Sequence, residues 1–171
     1  MANKPLDEPL LSLDSALLWQ FSLAVYPQLK TLCLRWQNDY YANINVLLAL
    51  SLAEQQHWQL TSFSLAAALK ALTPLNSQIT EGLRQQRSQL ACLGLSAAHQ
   101  QQLKQGLLQA ELVAEQLEQQ LLVAQLRFHT QRNADNLSDY LQQLKVPSSA
   151  QLRRELIDLR QASAQFVASL S

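Results

Sequence analysis

The chain has 171 residues, with 13 basic and 13 acidic side chains, a pI near 6.8 and only 15% charged residues. That balance excludes a general binder of phosphate backbones, which carries a basic excess, and leaves room only for a local basic patch. Three glycines and no Asn-Gly or Asp-Gly pair disfavour extended β structure, while abundant Leu and Gln favour helix.

A chain of this size buries roughly 70% of its unfolded surface, so folding needs neither a disulfide nor a metal. Cys33 and Cys92 lie far apart in apolar surroundings and read as two buried thiols of a reducing compartment. Met1 to Glu8 shows no basic stretch followed by a long apolar core, and the expectation is a cytoplasmic protein with no membrane association.

In chain order, residues 1–11, with Pro5 and Pro9, read as a flexible tail ahead of a helical core domain over 12–92. Asp14 is a plausible N-cap for a first helix over 15–25. Its Leu17, Leu18, Phe21 and Val25 share one face, and Trp19, Leu23 and Tyr26 form a second apolar stripe beside it. Tyr26-Pro27 predicts a break, because the residue before proline is pushed out of the α region. A second helix over 27–38 then carries Leu29, Leu32, Cys33 and Trp36 at helical spacing.

The next stretch, Asn43 to Leu52, is apolar on every side and belongs in an interior. It is too short to cross a bilayer, which needs about 20 residues. Asn43 is a possible cap for this central helix. Ser62 predicts the start of a helix over 63–72, and Thr73-Pro74 separates it from another over 75–92. There Ile79, Leu83 and Leu90 are expected to face inward, with Arg84 and Arg87 on another side. Gly94 followed by Ser96 reads as one helix ending and the next being capped.

From about 97 to 131 the pattern changes. Leu103, Leu107, Ala110, Ala114, Leu117, Leu121, Ala124 and Phe128 alternate in steps of four and three, which is a coiled-coil seam. A short helix over 137–145 stops at Val146-Pro147, and Ser148-Ser149-Ala150-Gln151 is a capping-box pattern opening a last helix. Leu152, Leu156, Leu159, Phe166 and Leu170 give that helix a second seam. The predicted architecture is all-α: a compact helical bundle followed by a C-terminal long-helix region over 96–171, whose seams pair with each other or with another chain.

Leu18-Trp19-Gln20-Phe21-Ser22, then Cys33-Leu34, then Asn43-Ile44-Asn45-Val46-Leu47-Leu48 carry a resemblance. Their order resembles the Leu-Trp-x-Phe-Ser, Cys-Leu and Asp-Val-Asn-Leu-Leu-Leu motifs of a family of short helical proteobacterial proteins. That family is a domain of unknown function, known mainly as conserved hypotheticals. Its later Pro-Leu-Arg-x-x-Arg pattern is similar to Gly82-Leu83-Arg84-Gln85-Gln86-Arg87. The resemblance covers about residues 15–90. Asn43 stands where the family usually has Asp, and Gly82 where it has Pro, so any chemistry resting on that Asp is missing here. The resemblance implies no activity; genes of the family often lie beside one for a translation-associated ABC-type ATPase, which implies a ribosome-linked role.

Among candidate functional residues, Asn43 and Asn45 stand out as polar groups in the most apolar helix, where each must hold a hydrogen-bond partner. Arg84 and Arg87 lie one turn apart and, with Arg35 or Lys70, could form an anion-binding face. Trp19 and Trp36 belong to an aromatic cluster with Tyr40, Tyr41 and Trp58 that could stack on a base or line an apolar pocket. Glu111, Glu115 and Glu118 share one side of the long helix. A di-iron bundle needs Glu-x-x-His pairs on facing helices, which the sequence lacks, so no metal and no cofactor is expected. His57, His99 and His129 are far apart, and no catalytic residue is assigned.

The functional expectation is a non-enzymatic interaction protein, an adaptor or assembly factor. It would bind another protein or itself through Leu103, Leu107, Leu117, Leu121 and Phe128. A ribosome- or RNA-associated factor using Arg84, Arg87 and Lys70 is the first alternative, and a helical carrier of a small ligand the second.

Overall fold

In the computed structural model, which describes residues 9–170, the chain forms seven α-helices. They are α1 (Ser15–Tyr40), α2 (Ile44–Gln55), α3 (Ser64–Leu75), α4 (Glu81–Gln89), α5 (Ala97–Gln125), α6 (Asn136–Gln143) and α7 (Ala150–Ser169). A single π-helical turn, Asn76–Thr80, joins α3 to α4. The protein is therefore all-α, as its periodicities predict. Asn43 caps α2 by accepting from the Val46 amide, and Asp14, Ser96 and Ser149 cap α1, α5 and α7 through their side chains.

The central helix behaves as its composition demands. Every residue of α2 from Asn45 to Glu54 is buried, and Val46, Leu47, Ala49, Leu50 and Leu52 are fully sealed. Against it pack α1, α6 and α7, while α5 packs against α3, α4, α1 and α2. Residues from both ends of the chain, Phe21 and Leu159 among them, share one hydrophobic core with α2. The C-terminal helices thus fold back; the seam of α7 meets the bundle through Leu152, Leu159 and Phe166, whereas the leucines of the α5 seam are largely exposed.

Several expectations are corrected. The break at Tyr26-Pro27 does not occur: α1 runs through Pro27 without interruption. Leu18, Phe21, Ser22, Val25, Leu29, Leu32, Cys33 and Trp36 are buried in unbroken helical register on both sides of the proline. Continuous packing therefore outweighs the missing backbone donor, and Pro27 itself sits on the exposed side. Likewise α3 continues through Pro74, and the disturbance is absorbed in the π turn that follows. Ser62 does not cap α3, which starts after Phe63 with no side-chain cap. Ile79 is half-exposed while Leu90 is buried, because α4 turns its arginines toward α5. Cys92 is exposed rather than buried. Cys33 is buried, and burial pushes its thiol up to about 12.

Phe128 departs most from its expected place. It lies beyond the end of α5, in a strand, and is fully buried. That strand, β2 (Phe128–Thr130), pairs antiparallel with β1 (Trp58–Leu60), with Leu60 opposite Phe128 and Trp58 opposite Thr130. Leu11 exchanges both backbone hydrogen bonds with Phe128, at 2.8 and 2.9 Å. The tail expected over 1–11 lies outside the described residues up to residue 8, and its end is tied down by this pairing. No hairpin signal could announce the pair, because the two strands are distant in sequence and are joined by the burial of Phe128 against Trp58.

Two charged clamps hold the outer helices. Glu155 of α7 takes the Arg35 guanidinium and accepts from the Trp36 indole nitrogen at 2.7 Å. Glu54 of α2 accepts from the Leu137 amide at 2.8 Å, so it caps α6, and from Arg160 of α7 at 2.8 Å. Burial alone would raise the Glu155 carboxyl, but hydrogen bonds from Arg35 and Trp36 hold it below the usual carboxylate range.

A carboxyl held low in the fold stabilises it above the ordinary carboxylate pKa, and that contribution fades as pH falls through the lowered value. Glu155→Gln should therefore flatten the acid limb of stability between pH 6 and 3 (bounds about those of the carboxylate range). Glu155→Ala should also strand the fully buried Trp36 donor and cost about 1–3 kcal/mol in urea unfolding at neutral pH. An unchanged acid limb in Glu155→Gln would remove Glu155 as its source.

Candidate functional site

The second apolar stripe of α1 does not find another helix. Trp19, Leu23 and Tyr26 instead form one wall of a cleft of about 500 Å³. Asn43, Ile44, Asn45 and Leu48 close it from α2, and Leu108, Leu112 and Gln119 from α5. Arg84 and Arg87 of α4 complete the rim with Lys30. The volume lies within the range of small-molecule sites, about 300–1,000 Å³.

At the floor stands Glu118, only 1% exposed. Asn45 Nδ2 donates to its Oε2 at 2.8 Å, and Asn76 Nδ2 donates to its Oε1 at 3.1 Å. The Thr80 hydroxyl donates to the same Oε1. The π turn places Asn76 and Thr80 at its two ends, so both reach one carboxylate oxygen. Three neutral donors thus surround a buried carboxylate that no cation touches among the described residues.

The network continues through Gln119. Its Nε2 donates to Ser22 Oγ at 2.7 Å and to Asn45 Oδ1 at 3.1 Å, and the Ser22 hydroxyl in turn donates to the Leu18 carbonyl. These bonds fix both amide orientations. Asn45 must turn its nitrogen to the carboxylate, so its oxygen faces Gln119, which must answer with nitrogen. Gln119 Oε1 is left over, and it is the one buried side-chain nitrogen or oxygen without a partner among the described residues.

Along the rim the charges pair. Arg84 meets Glu115 at 2.6 Å, and Arg87 holds Glu111 through two bonds at 2.6 and 3.1 Å. Glu111 is itself buried, whereas the other three groups are half-exposed. Tyr26 lies close by, and burial, reinforced by Cys33 and Glu115, pushes its hydroxyl further above its ordinary value.

Of the residues singled out in the sequence, the fold brings Asn43, Asn45, Arg84, Arg87 and Trp19 to this one cleft. Trp36 is not among them: it is fully buried in the core with its indole nitrogen on Glu155. Glu118, Gln119, Ser22, Asn76 and Thr80 were not foreseen as a site. The sequence did hold a signal, an acidic row at Glu111, Glu115 and Glu118 opposite two arginines one turn apart, which is the pattern of two antiparallel helices paired by charge.

A different surface lies on the far side of α5. Glu111, Glu118, Gln119 and Leu122 are buried, and within α5 only Ala114 of the seam joins them, so the seam's leucines are turned outward. Leu103, Val113, Leu117 and Leu121 are 48%, 47%, 44% and 37% exposed.

The fold is all-α with a cleft of polar floor and apolar walls, and no helix of the described residues is long and apolar enough to cross a membrane. The chain belongs to the family described as "Protein of unknown function (DUF2390)", whose model matches residues 17–122. That span takes in α1, α2 and the floor residues up to Gln119. No curated protein and no solved structure matches the chain.

Replacing Glu118 by Leu leaves the Asn45, Asn76 and Thr80 donors without their acceptor, at a cost of about 3 kcal/mol or more in total. Arg84→Ala, which breaks a half-exposed pair, should cost less than about 1 kcal/mol. Urea unfolding of the two variants side by side checks the ranking, and equal losses would contradict the role given to Glu118.

Proposed function

We propose that the protein is a non-enzymatic interaction protein, an adaptor or assembly factor, which docks through the outer face of α5. The observation that carries this reading is the exposed row Leu103, Val113, Leu117 and Leu121, with half-buried Leu107 between them. From Leu103 to Leu121 the row extends roughly 27 Å along the helix. Leu103, Leu107, Leu117 and Leu121 keep the four-three spacing by which helices pair, with Ala110 and Ala114 between them and Val113 alongside. Phe128 takes no part, since the core holds it.

The occupant we assign to this face is a second copy of the chain. Gln102, Gln109 and Gln116 recur at seven-residue spacing along its flank. An uncharged flank gives two identical helices no like-charge repulsion to overcome, and identical faces close into a two-fold pair. Arg84 and Arg87 are each engaged with a carboxylate, which leaves the RNA-binding alternative with less support. We also propose a cytoplasmic location and, from the motifs of the family it resembles, a proteobacterial host.

Light scattering after size-exclusion chromatography should give the mass of a dimer for the unaltered protein. The pair Leu117→Glu and Leu121→Glu should give a monomer with unchanged helical circular dichroism, since neither side chain is part of the core. An unaltered protein that stays monomeric as its concentration is raised would overturn self-docking through this face.

A further inference from the structure

The cleft and the exposed α5 row lie on different sides of α5, so what enters the cleft is a question separate from self-association. The charges that an occupant can reach answer part of it. Lys30, Arg84 and Arg87 line the cleft together with Glu111, Glu115 and Glu118. The two sets are unequally exposed. The side chains of Arg84 and Arg87 are 30% and 33% exposed and Lys30 is open to solvent, whereas Glu111 is 7% and Glu118 only 1% exposed. Glu115, at 28%, is the one reachable carboxylate of the three. An occupant therefore meets three cations and one anion.

Hydrogen-bonding capacity points the same way. A guanidinium carries five N–H donors, and Arg84 gives one of them to Glu115. Lys30 takes part in no ion pair among the described residues. It stands one turn beyond Tyr26 on the same face of α1, and Tyr26 lies near enough to Arg84, Arg87 and Glu115 for their charges to act on its hydroxyl. Lys30 thus brings one uncompensated positive charge to the rim, on the side where Arg84 has donors still to give. A monoanion balances that charge. A cation would be repelled by it, and a dianion would set excess negative charge beside Glu115.

The walls define the rest of the occupant. Trp19, Leu23, Leu108 and Leu112 line the cleft, and the three leucines are 52%, 38% and 40% exposed, which is apolar surface left uncovered. Trp19 and Lys30 lie on nearly the same face of α1, roughly 16 Å apart along its axis. The apolar wall therefore extends well away from the charge, as it must for a body that is anionic at one end only.

We propose that this cleft binds the anion of a free aliphatic monocarboxylic acid, its carboxylate at Lys30 and the unused donors of Arg84, its hydrocarbon chain along Leu23, Leu108 and Leu112 toward Trp19. Lys30 selects the charge and the leucines select the length of the chain. Binding is reversible and involves no covalent step.

Octanoate, octanol, octylammonium and acetate, titrated at neutral pH by calorimetry and by the indole N–H resonance of Trp19, test it. Octanoate should bind saturably and move that resonance. Octanol should bind about fivefold more weakly, octylammonium more weakly than octanol, and acetate not at all. Shortening octanoate to hexanoate should cost about tenfold, at about three- to fourfold per methylene. Lys30→Gln, at an exposed position, should bring octanoate down to the affinity of octanol. Leu23→Glu, also at an exposed position, should abolish octanoate binding. The α5 pair Leu117→Glu and Leu121→Glu should bind octanoate unchanged, so the fate of the dimer and the fate of this site are read separately. No saturable binding of octanoate, octanol or octylammonium matching it, or a Lys30→Gln variant that keeps the preference for the carboxylate would each overturn the proposal. Loss of octanoate binding in the α5 pair would overturn it as well, by moving the probe to the exposed row.

Discussion

One buried carboxylate sets the geometry of this molecule. Glu118 could not lie at 1% exposure in an apolar interior unless donors came to it, and they come from α2 and from both ends of the π turn. Its position fixes how α5 is rotated about its own axis. Once Glu118 faces inward, Glu111, Ala114 and Leu122 must follow at helical spacing, and the Leu117 and Leu121 side must look outward. The exposed apolar row and the cleft are two consequences of that single orientation.

The same device recurs at other joints between helices. Glu54 binds the first turn of α6 and Arg160 of α7, and Glu155 fastens α7 to Arg35 and Trp36. Glu111 does so for α4 through Arg87. In a chain with so few charges, its acids are concentrated at joints between elements. Geometry is what they contribute. Apolar replacements of matching shape can hold helices together at least as well, but they do not select one rotation over another.

What the sequence revealed follows from which forces are local. Helix existence, the sealed character of α2, and the caps at Asp14, Asn43 and Ser96 all depend on near neighbours, and each was legible. Pro27 and Pro74 misled because a local rule competed with burial that continues in register past each proline. Phe128 extended the seam by spacing alone, yet the helix ends at Gln125, and the residue packs on a strand from the other half of the chain. The rotation of α5 was illegible for a related reason. Its leucines satisfy the seam pattern better than its buried glutamates do, and only partners far away in the chain make the polar side the inner one. Asn45 and the arginines could be suspected one by one, but the Glu118–Asn45–Gln119 grouping depends on contacts between residues more than 70 apart.

That grouping also bears on why the floor is polar at all. Glu118 and Gln119 are adjacent, so a helix must point them about 100° apart, one toward α3 and the π turn, the other toward α1 and the cleft. If structure alone were at stake, a leucine at either position would avoid the desolvation of amides and a carboxylate, at little loss of stability once its partners were apolar too. A purely structural network would also close on itself. This one runs from Thr80 and Asn76 through Glu118, Asn45 and Gln119 to Ser22 and the Leu18 carbonyl, and it leaves Gln119 Oε1 buried without a partner among the described residues. The rigidity of its other members holds that acceptor in place.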